Sequence, residues 1–171
     1  MSERPVTMVQ NIGDADLQYL FYDGDDPPII LLHATGFLPM LWHPIAQELC
    51  KHRKVIAPYF CDHRDTDPRK GGLSWMLLAE DLCRLCEGLN IEKPLLAGHS
   101  MGATVMTIAE ATHGPKASGL VLIEPIFLPQ DFYRVQIEVE DHPLASRSIK
   151  RRSTWNDPDQ ARLYFRGKGL F

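Results

Sequence analysis

No apolar run in this 171-residue sequence approaches the roughly 20 consecutive apolar residues that a membrane-spanning helix requires. The first residues, Met1-Ser2-Glu3-Arg4-Pro5, lead straight into an alternating polar segment, with no apolar stretch of the signal-peptide kind. Cytoplasmic residence with no membrane partner is therefore expected. An excess of positive charge is also lacking. Lys and Arg number 18 against 22 Asp and Glu, for a net charge of −4. Phosphate contacts need a concentrated basic surface, so this balance argues against nucleic acid as a partner. Cysteine is scarce, with four in all. Cys83 and Cys86 form a C-x-x-C, which opens a redox or metal reading. No second C-x-x-C or nearby Cys/His pair completes a zinc site, and no strand signal leads into the motif. The pair sits inside a helical pattern, and the favoured reading is two buried thiols acting as small apolar side chains. Internal repeats and low-complexity segments are absent as well.

What is present is an ordinary globular composition, 44 % hydrophobic and 23 % charged, at a length that suits one domain. Val6–Val9 and Leu17–Tyr22 are short runs rich in β-branched and aromatic residues. Asn11-Ile12-Gly13-Asp14 between them predicts a hairpin. Ile29–Leu32 is a continuous apolar run bounded by turn residues, as in a strand buried on both faces. Leu41 to Cys50 reads as a helix with Pro44 in its first turn. Lys54–Pro58 gives another strand. Trp75, Leu78, Leu82, Leu85 and Leu89 are alternately three and four residues apart, which is one face of an amphipathic helix. Pro94–Ala97 is a further buried-type strand that stops at Gly98. Ala103 to Ala111 reads as a helix ended by His113-Gly114-Pro115, and Gly119–Ile123 as a last strand. This alternation predicts an α/β fold: a mostly parallel, doubly wound sheet of about six strands, with helices on both faces and an antiparallel hairpin in front.

After Glu124 the character changes. Charges crowd Asp131 to Leu144, and a basic run follows at Arg147, Lys150, Arg151 and Arg152. That run reads as an anion site or, the favoured reading, as a solvated helix face. Asp157-Pro158 is a helix start, with Asp as N-cap and Pro at the first helical position.

Gly98-His99-Ser100-Met101-Gly102 matches G-x-S-x-G, placed where a buried strand hands over to a helix. In a nucleophile elbow the serine sits on a strained strand-to-helix turn, and the flanking glycines remove side chains that would collide with neighbouring backbone. The turn lifts the Ser100 hydroxyl above the sheet. It also sets the backbone N–H of Met101 at a helix N-terminus, where an oxyanion is stabilised. His33-Ala34-Thr35-Gly36-Phe37 follows the Ile29–Leu32 strand directly.

With these two elements the sequence resembles the α/β-hydrolase family, in its serine-nucleophile, lid-containing form. Roughly 65 residues separate the His33 loop from the elbow, with a strand and a long helix between, as that fold requires. The resemblance runs from about Val6 to Pro125. It divides the chain into a hydrolase core over 1–128 and the start of a helical lid over 129–171. It implies that the loop after the third strand supplies a second oxyanion-hole N–H, which by position is Thr35, with Ala34 standing where glycine is commoner. His33 is implied to hold that loop rather than to act as base. The acid of such a triad is carried by some members after the sixth strand, which makes Glu124 a candidate, although a role capping the following turn is the favoured alternative.

The order of such a triad is Ser, acid, His, with the histidine in a loop after the last strand. None of the histidines at 33, 43, 52, 63, 99, 113 and 142 follows a late strand. The expectation is therefore a fragment of a longer hydrolase, with Gly119–Ile123 left as an unpaired, aggregation-prone edge. The implied reaction cleaves an ester, amide or related acyl bond in a small molecule bearing an apolar acyl or alcohol group, without metal or organic cofactor. Phe37, Leu38, Trp42, Ile126 and Phe127 are expected near the pocket. Two alternatives stay open: a degenerate, non-catalytic binding protein of the same fold, and a cofactor-free haloperoxidase, lyase or C–C hydrolase. Neither the substrate nor the oligomeric state is legible.

Overall fold

The computed structural model describes residues 4–65, 73–112, 114, 116–131, 150, 152 and 154–168. Six strands form one sheet: β1 (Val6–Asn11), β2 (Asp16–Tyr22), β3 (Ile29–Leu32), β4 (Val55–Pro58), β5 (Leu95–His99) and β6 (Gly119–Ile123). Their spatial order is β1-β2-β4-β3-β5-β6. The predicted hairpin forms, with Gly13 at φ 102° and its N–H donated to the Asn11 side chain at 3.0 Å. β2 runs antiparallel to β4, and β4, β3, β5 and β6 are mutually parallel. The mostly parallel α/β sheet expected from the apolar runs is the sheet that forms.

Alternate residues of the central strands serve two cores, because strand side chains point to opposite faces with period two. Ile30, Leu32, Ile56 and Leu96 pack on one face against α2 (Trp75–Gly88) and α3 (Met101–Thr112). Ile29, Leu31, Val55 and Ala57 pack on the other against Trp42 and Ala46 of the segment leading into and through α1 (His43–Leu49). Cys83 and Cys86 are buried and unbridged on α2. Burial pushes the Cys86 thiol up to about 12 and the Cys83 thiol to about 11, which keeps both protonated.

Two helix starts differ from expectation. The segment read as helix from Leu41 is a 3₁₀ turn over Pro39–Trp42, and α1 begins only at His43. Pro44 has no N–H to bond the carbonyl four residues back, so the α-helical ladder cannot run through it. α3 starts at Met101, two residues before the predicted Ala103, because the packing described below outweighs the poor helix propensity of Gly102. Among the described residues β6 pairs with β5 alone, and Leu120, Val121, Leu122 and Ile123 stay between 39 % and 46 % exposed.

The chain divides into two compact units, Met1–Val135 and Gln136–Phe171. In the second, α4 (Pro158–Arg166) begins as predicted, with the Asp157 carboxylate accepting the Gln160 N–H at 2.8 Å. Trp155 packs its ring against Tyr164 and Phe165, and the Arg152 guanidinium lies over the indole at 5.6 Å. Arg147 and Arg151 of the basic run lie outside the described residues. No helix among the described residues is long and apolar enough to cross a membrane.

Candidate active site

Ser100 stands between the end of β5 and the start of α3 with φ 53°, in the left-handed region that costs an L-residue about 1–2 kcal/mol. Its backbone is held from both sides. The Ser100 N–H donates to the Ile123 carbonyl of β6 at 2.9 Å, and the Ser100 carbonyl accepts the Thr104 N–H at 3.1 Å. The Thr104 hydroxyl divides its proton between the carbonyls of Ser100 (3.2 Å) and Ile126 (3.3 Å) and accepts the Ile126 N–H at 2.9 Å. The flanking glycines are required by close approach. A Cβ at Gly98 would meet the Ala103 nitrogen at 2.6 Å, and one at Gly102 would meet the Leu32 carbonyl oxygen at 2.5 Å. Met101 is 1 % exposed. As the first residue of α3 it belongs to the turn whose N–H groups have no intrahelical acceptor.

The loop after β3 lies beside this elbow because Leu32 of β3 pairs in register with Gly98 of β5. It closes as a turn in which the Phe37 N–H donates to the Ala34 carbonyl at 3.2 Å, with Gly36 at φ 77° in the third position. A positive φ there is the mark of a type II turn and favours glycine. Thr35 takes the second position and is exposed. His33 is buried at 3 %, and its Nδ1 lies 2.9 Å from the Ala34 carbonyl. A carbonyl only accepts, so Nδ1 carries the proton. Burial pulls the His33 pKa below its ordinary 6.5, against the opposing pull of the Ala34 carbonyl, the Asp62 charge and the Phe60 carbonyl.

Glu124 follows Ile123 at the tip of β6, exposed and with φ 46°. Ile123 pairs with His99, so Ser100 and Glu124 leave adjacent strands at the same level. The structure thus gathers Ser100, Met101, the Thr35 turn and Glu124 along the carboxyl ends of β3, β5 and β6, the edge where ligands bind in open parallel sheets. It does not bring one of the described histidines to Ser100. His33 bonds within its own loop, His43 reaches the Tyr22 hydroxyl at 3.0 Å, and His63 reaches Asp81 at 2.8 Å. His52 is exposed, His99 lines the pocket described next, and His113 and His142 lie outside the described residues.

A pocket of about 280 Å³ adjoins the elbow, lined by His33, Ala34, Phe37, Leu41, Trp42, Ile45, His99 and Ile123. Phe37 and Trp42 are where the sequence suggests. Leu38, Ile126 and Phe127 are not among the pocket's lining residues, and Leu41 of the 3₁₀ turn and Ile45 of α1 line it instead. A wider, more polar depression of about 460 Å³ lies elsewhere, around Asn11–Asp14, Arg84, Glu87 and Gly88, and holds no nucleophile.

Sequence reasoning also passes over Asp81. It shares the buried face of α2 with Leu78, Leu82 and Leu85, and its carboxylate is fully enclosed. Burial alone would raise its pKa. Hydrogen bonds and charge from Arg64 and His63 win instead and hold it below the usual carboxylate value. An acid three and four residues from leucines on an apolar helix face is the signal that could have revealed it.

Comparison with known proteins agrees with this architecture. Residues 29–171 match the model of the Alpha/beta hydrolase family. A curated relative named sn-1-specific diacylglycerol lipase ABHD11, from Xenopus laevis, is 33 % identical over 99 residues, covering 55 % of this chain and 31 % of the relative. Another, the Magnesium-chelatase 30 kDa subunit of Rhodobacter capsulatus, is 32 % identical over 100 residues, or 56 % of this chain and 34 % of that one. The chain thus spans about a third of the length of these relatives. The crystal structure of epoxide hydrolase VrEH1 from Vigna radiata superposes with a TM-score of 0.70 at 17 % identity, covering 85 % of this chain and 46 % of that one, and shares the fold. With its strand order and the match over most of its length, the chain belongs to the alpha/beta hydrolase family.

Proposed function

We propose that this chain carries the nucleophile and oxyanion hole of a serine hydrolase that cleaves an ester, amide or related acyl bond. The observation that carries the reading is Ser100 at φ 53°, raised at a strand-to-helix turn between two glycines that neighbouring backbone leaves no room to replace. In the proposed reaction Ser100 Oγ attacks the substrate carbonyl carbon while its proton passes to a histidine base outside the described residues. The N–H groups of Met101 and Thr35 receive the oxyanion, each such donor being worth about 2.7–4 kcal/mol. The bond to the leaving group then breaks, the histidine returns the proton to it, and water releases the acyl group by the same route. Glu124, on the strand beside Ser100, is the candidate to orient that base.

The pocket supports a small apolar group on the substrate. At about 280 Å³ it sits at the lower limit of ligand pockets, roughly 300 Å³, and larger than a cavity of about 150 Å³ that holds benzene. A short acyl or alcohol portion fits it, and the relative named a diacylglycerol lipase supports an acyl ester as the substrate class. A second reading, a binding protein of the same fold, draws support from His33, His43 and His63, which are engaged away from Ser100, and from the relative named as a magnesium-chelatase subunit. A fluorophosphonate probe separates the two. In the full-length protein the hydrolase reading expects covalent labelling at Ser100 that Ser100→Ala abolishes. An unlabelled folded protein, or label retained in Ser100→Ala, refutes it.

A further inference from the structure

Asp81 is buried with charged partners that all lie on other elements. His63 Nε2 donates to its Oδ2 at 2.8 Å, and Arg64 reaches the same oxygen through Nε at 2.7 Å and the other oxygen through Nη2 at 2.5 Å. Arg64 also meets Asp14 of the β1–β2 turn at 3.0 Å, and Arg84 meets the same carboxylate at 2.9 Å. His63 and Arg64 belong to the loop that leaves β4, and that loop touches the candidate oxyanion hole at Met101. Cys61 Sγ lies 3.8 Å from the Met101 Sδ. Cys61 itself sits at φ 80°, a conformation that persists only where the surroundings impose it. The Phe60 and His63 rings lie 6.1 Å apart within the loop's first residues.

We propose that Asp81, acting through His63 and Arg64, is a positioning residue that fixes the loop after β4 and thereby the place of the Met101 N–H group. The inference rests on the hydrolase reading for its catalytic meaning, but its geometry stands apart from it. A plain structural anchor would lower the stability of the whole unit evenly. A brace loosens the site first.

The test is amide hydrogen exchange on the full chain, read at Ser100 and Thr104 for the elbow, alongside the rate of fluorophosphonate labelling. Asp81→Asn should speed exchange at these amides about tenfold or more, the factor that follows from losing one hydrogen bond to a charged group. It should slow labelling by about ten- to a hundredfold, since small misplacements at a reacting centre cost that much. Arg84→Ala, which leaves the Asp81 pairs intact, should change neither. Cys61→Ala should quicken exchange at Ser100 and Thr104, and it carries the test if Asp81→Asn does not fold. Exchange at the wild-type rate in the folded variant that is tested overturns the proposal. So does an equal rise at these amides in Leu85→Ala, a core variant that lowers stability without touching the loop. If the wild type is unlabelled while the exchange pattern appears, the hydrolase reading fails and the brace stands.

Discussion

Gly102→Ala puts the packing of the elbow to a direct test. The added Cβ would lie 2.5 Å from the carbonyl oxygen of Leu32 and 2.7 Å from its carbon and its Cβ. Leu32 cannot yield cheaply, because it is fully buried and paired in register with Gly98 inside the sheet. Overpacking of this kind costs typically about 1–3 kcal/mol, and a clash with fixed backbone belongs at the upper end. Alanine returns at most about 1 kcal/mol of helix propensity. The net loss is about 2 kcal/mol, which for a chain of this length lowers the melting temperature by roughly 4–8 °C. Because the strain is relieved by moving the start of α3, the Met101 N–H moves as well, and fluorophosphonate labelling should slow by up to about a hundredfold. Gly167→Ala is the control: its nearest contact is 3.6 Å away and its φ is −81°, so stability should change by less than about 0.5 kcal/mol. Thermal unfolding followed by circular dichroism, with labelling kinetics on the same samples, decides the matter. A Gly102→Ala protein that melts and labels like the wild type refutes the argument.

Ser100→Gly should be more stable than Ser100→Ala by about 1 kcal/mol, since glycine accepts φ 53° without the left-handed penalty. Equal melting temperatures would show that the turn stores no strain. Thr104→Val keeps the shape but leaves the Ile126 N–H without its 2.9 Å acceptor, and should cost about 1–3 kcal/mol in denaturant unfolding. Stability should also fall as the solution is acidified below about pH 6.5. Burial lowers the His33 pKa in the fold, so between the unfolded and folded values the unfolded chain binds more protons and the free energy of unfolding rises with pH. His33→Gln should flatten that slope in urea titrations, and an unchanged slope would assign it to other groups.

Much of the fold was legible because its strands are buried on both faces. Ile29–Leu32 reads as four apolar residues in a row, and all four are buried, two to each core. The leucine spacing of α2 and the glycine–serine elbow are equally local signals, each confined to a short window. What escaped was set by distant partners. The Asp81 carboxylate is tolerated on an apolar face only because Arg64 and His63, 17 and 18 residues earlier, deliver donors to it. The pocket wall includes Leu41 and Ile45 rather than Leu38, and the helix expected from Leu41 to Cys50 is broken near Pro44 into the end of a 3₁₀ turn and a shorter α1. No periodicity in the sequence reports that break's effect on which side chains face the elbow.

Strain alone does not single out Ser100. Cys61, Asn90, Lys93, Lys116 and Glu124 also adopt positive φ. Asn90 needs no special account, since it follows the end of α2 and asparagine tolerates the left-handed region at helix ends. What separates Ser100 is how fully its conformation is fixed from outside. Its N–H is tied to β6, its carbonyl to Thr104, and its neighbours at 98 and 102 are pressed against α3 and β3 with no room for a side chain. A backbone held in a costly conformation by bonds to β6 and α3 and by packing against β3 keeps its side chain at one point in space, and the side chain kept there is a hydroxyl at the carboxyl edge of a parallel sheet. That combination of over-determined backbone and a hydroxyl-bearing residue, rather than the G-x-S-x-G pattern by itself, is the physical case for the chemistry proposed at Ser100.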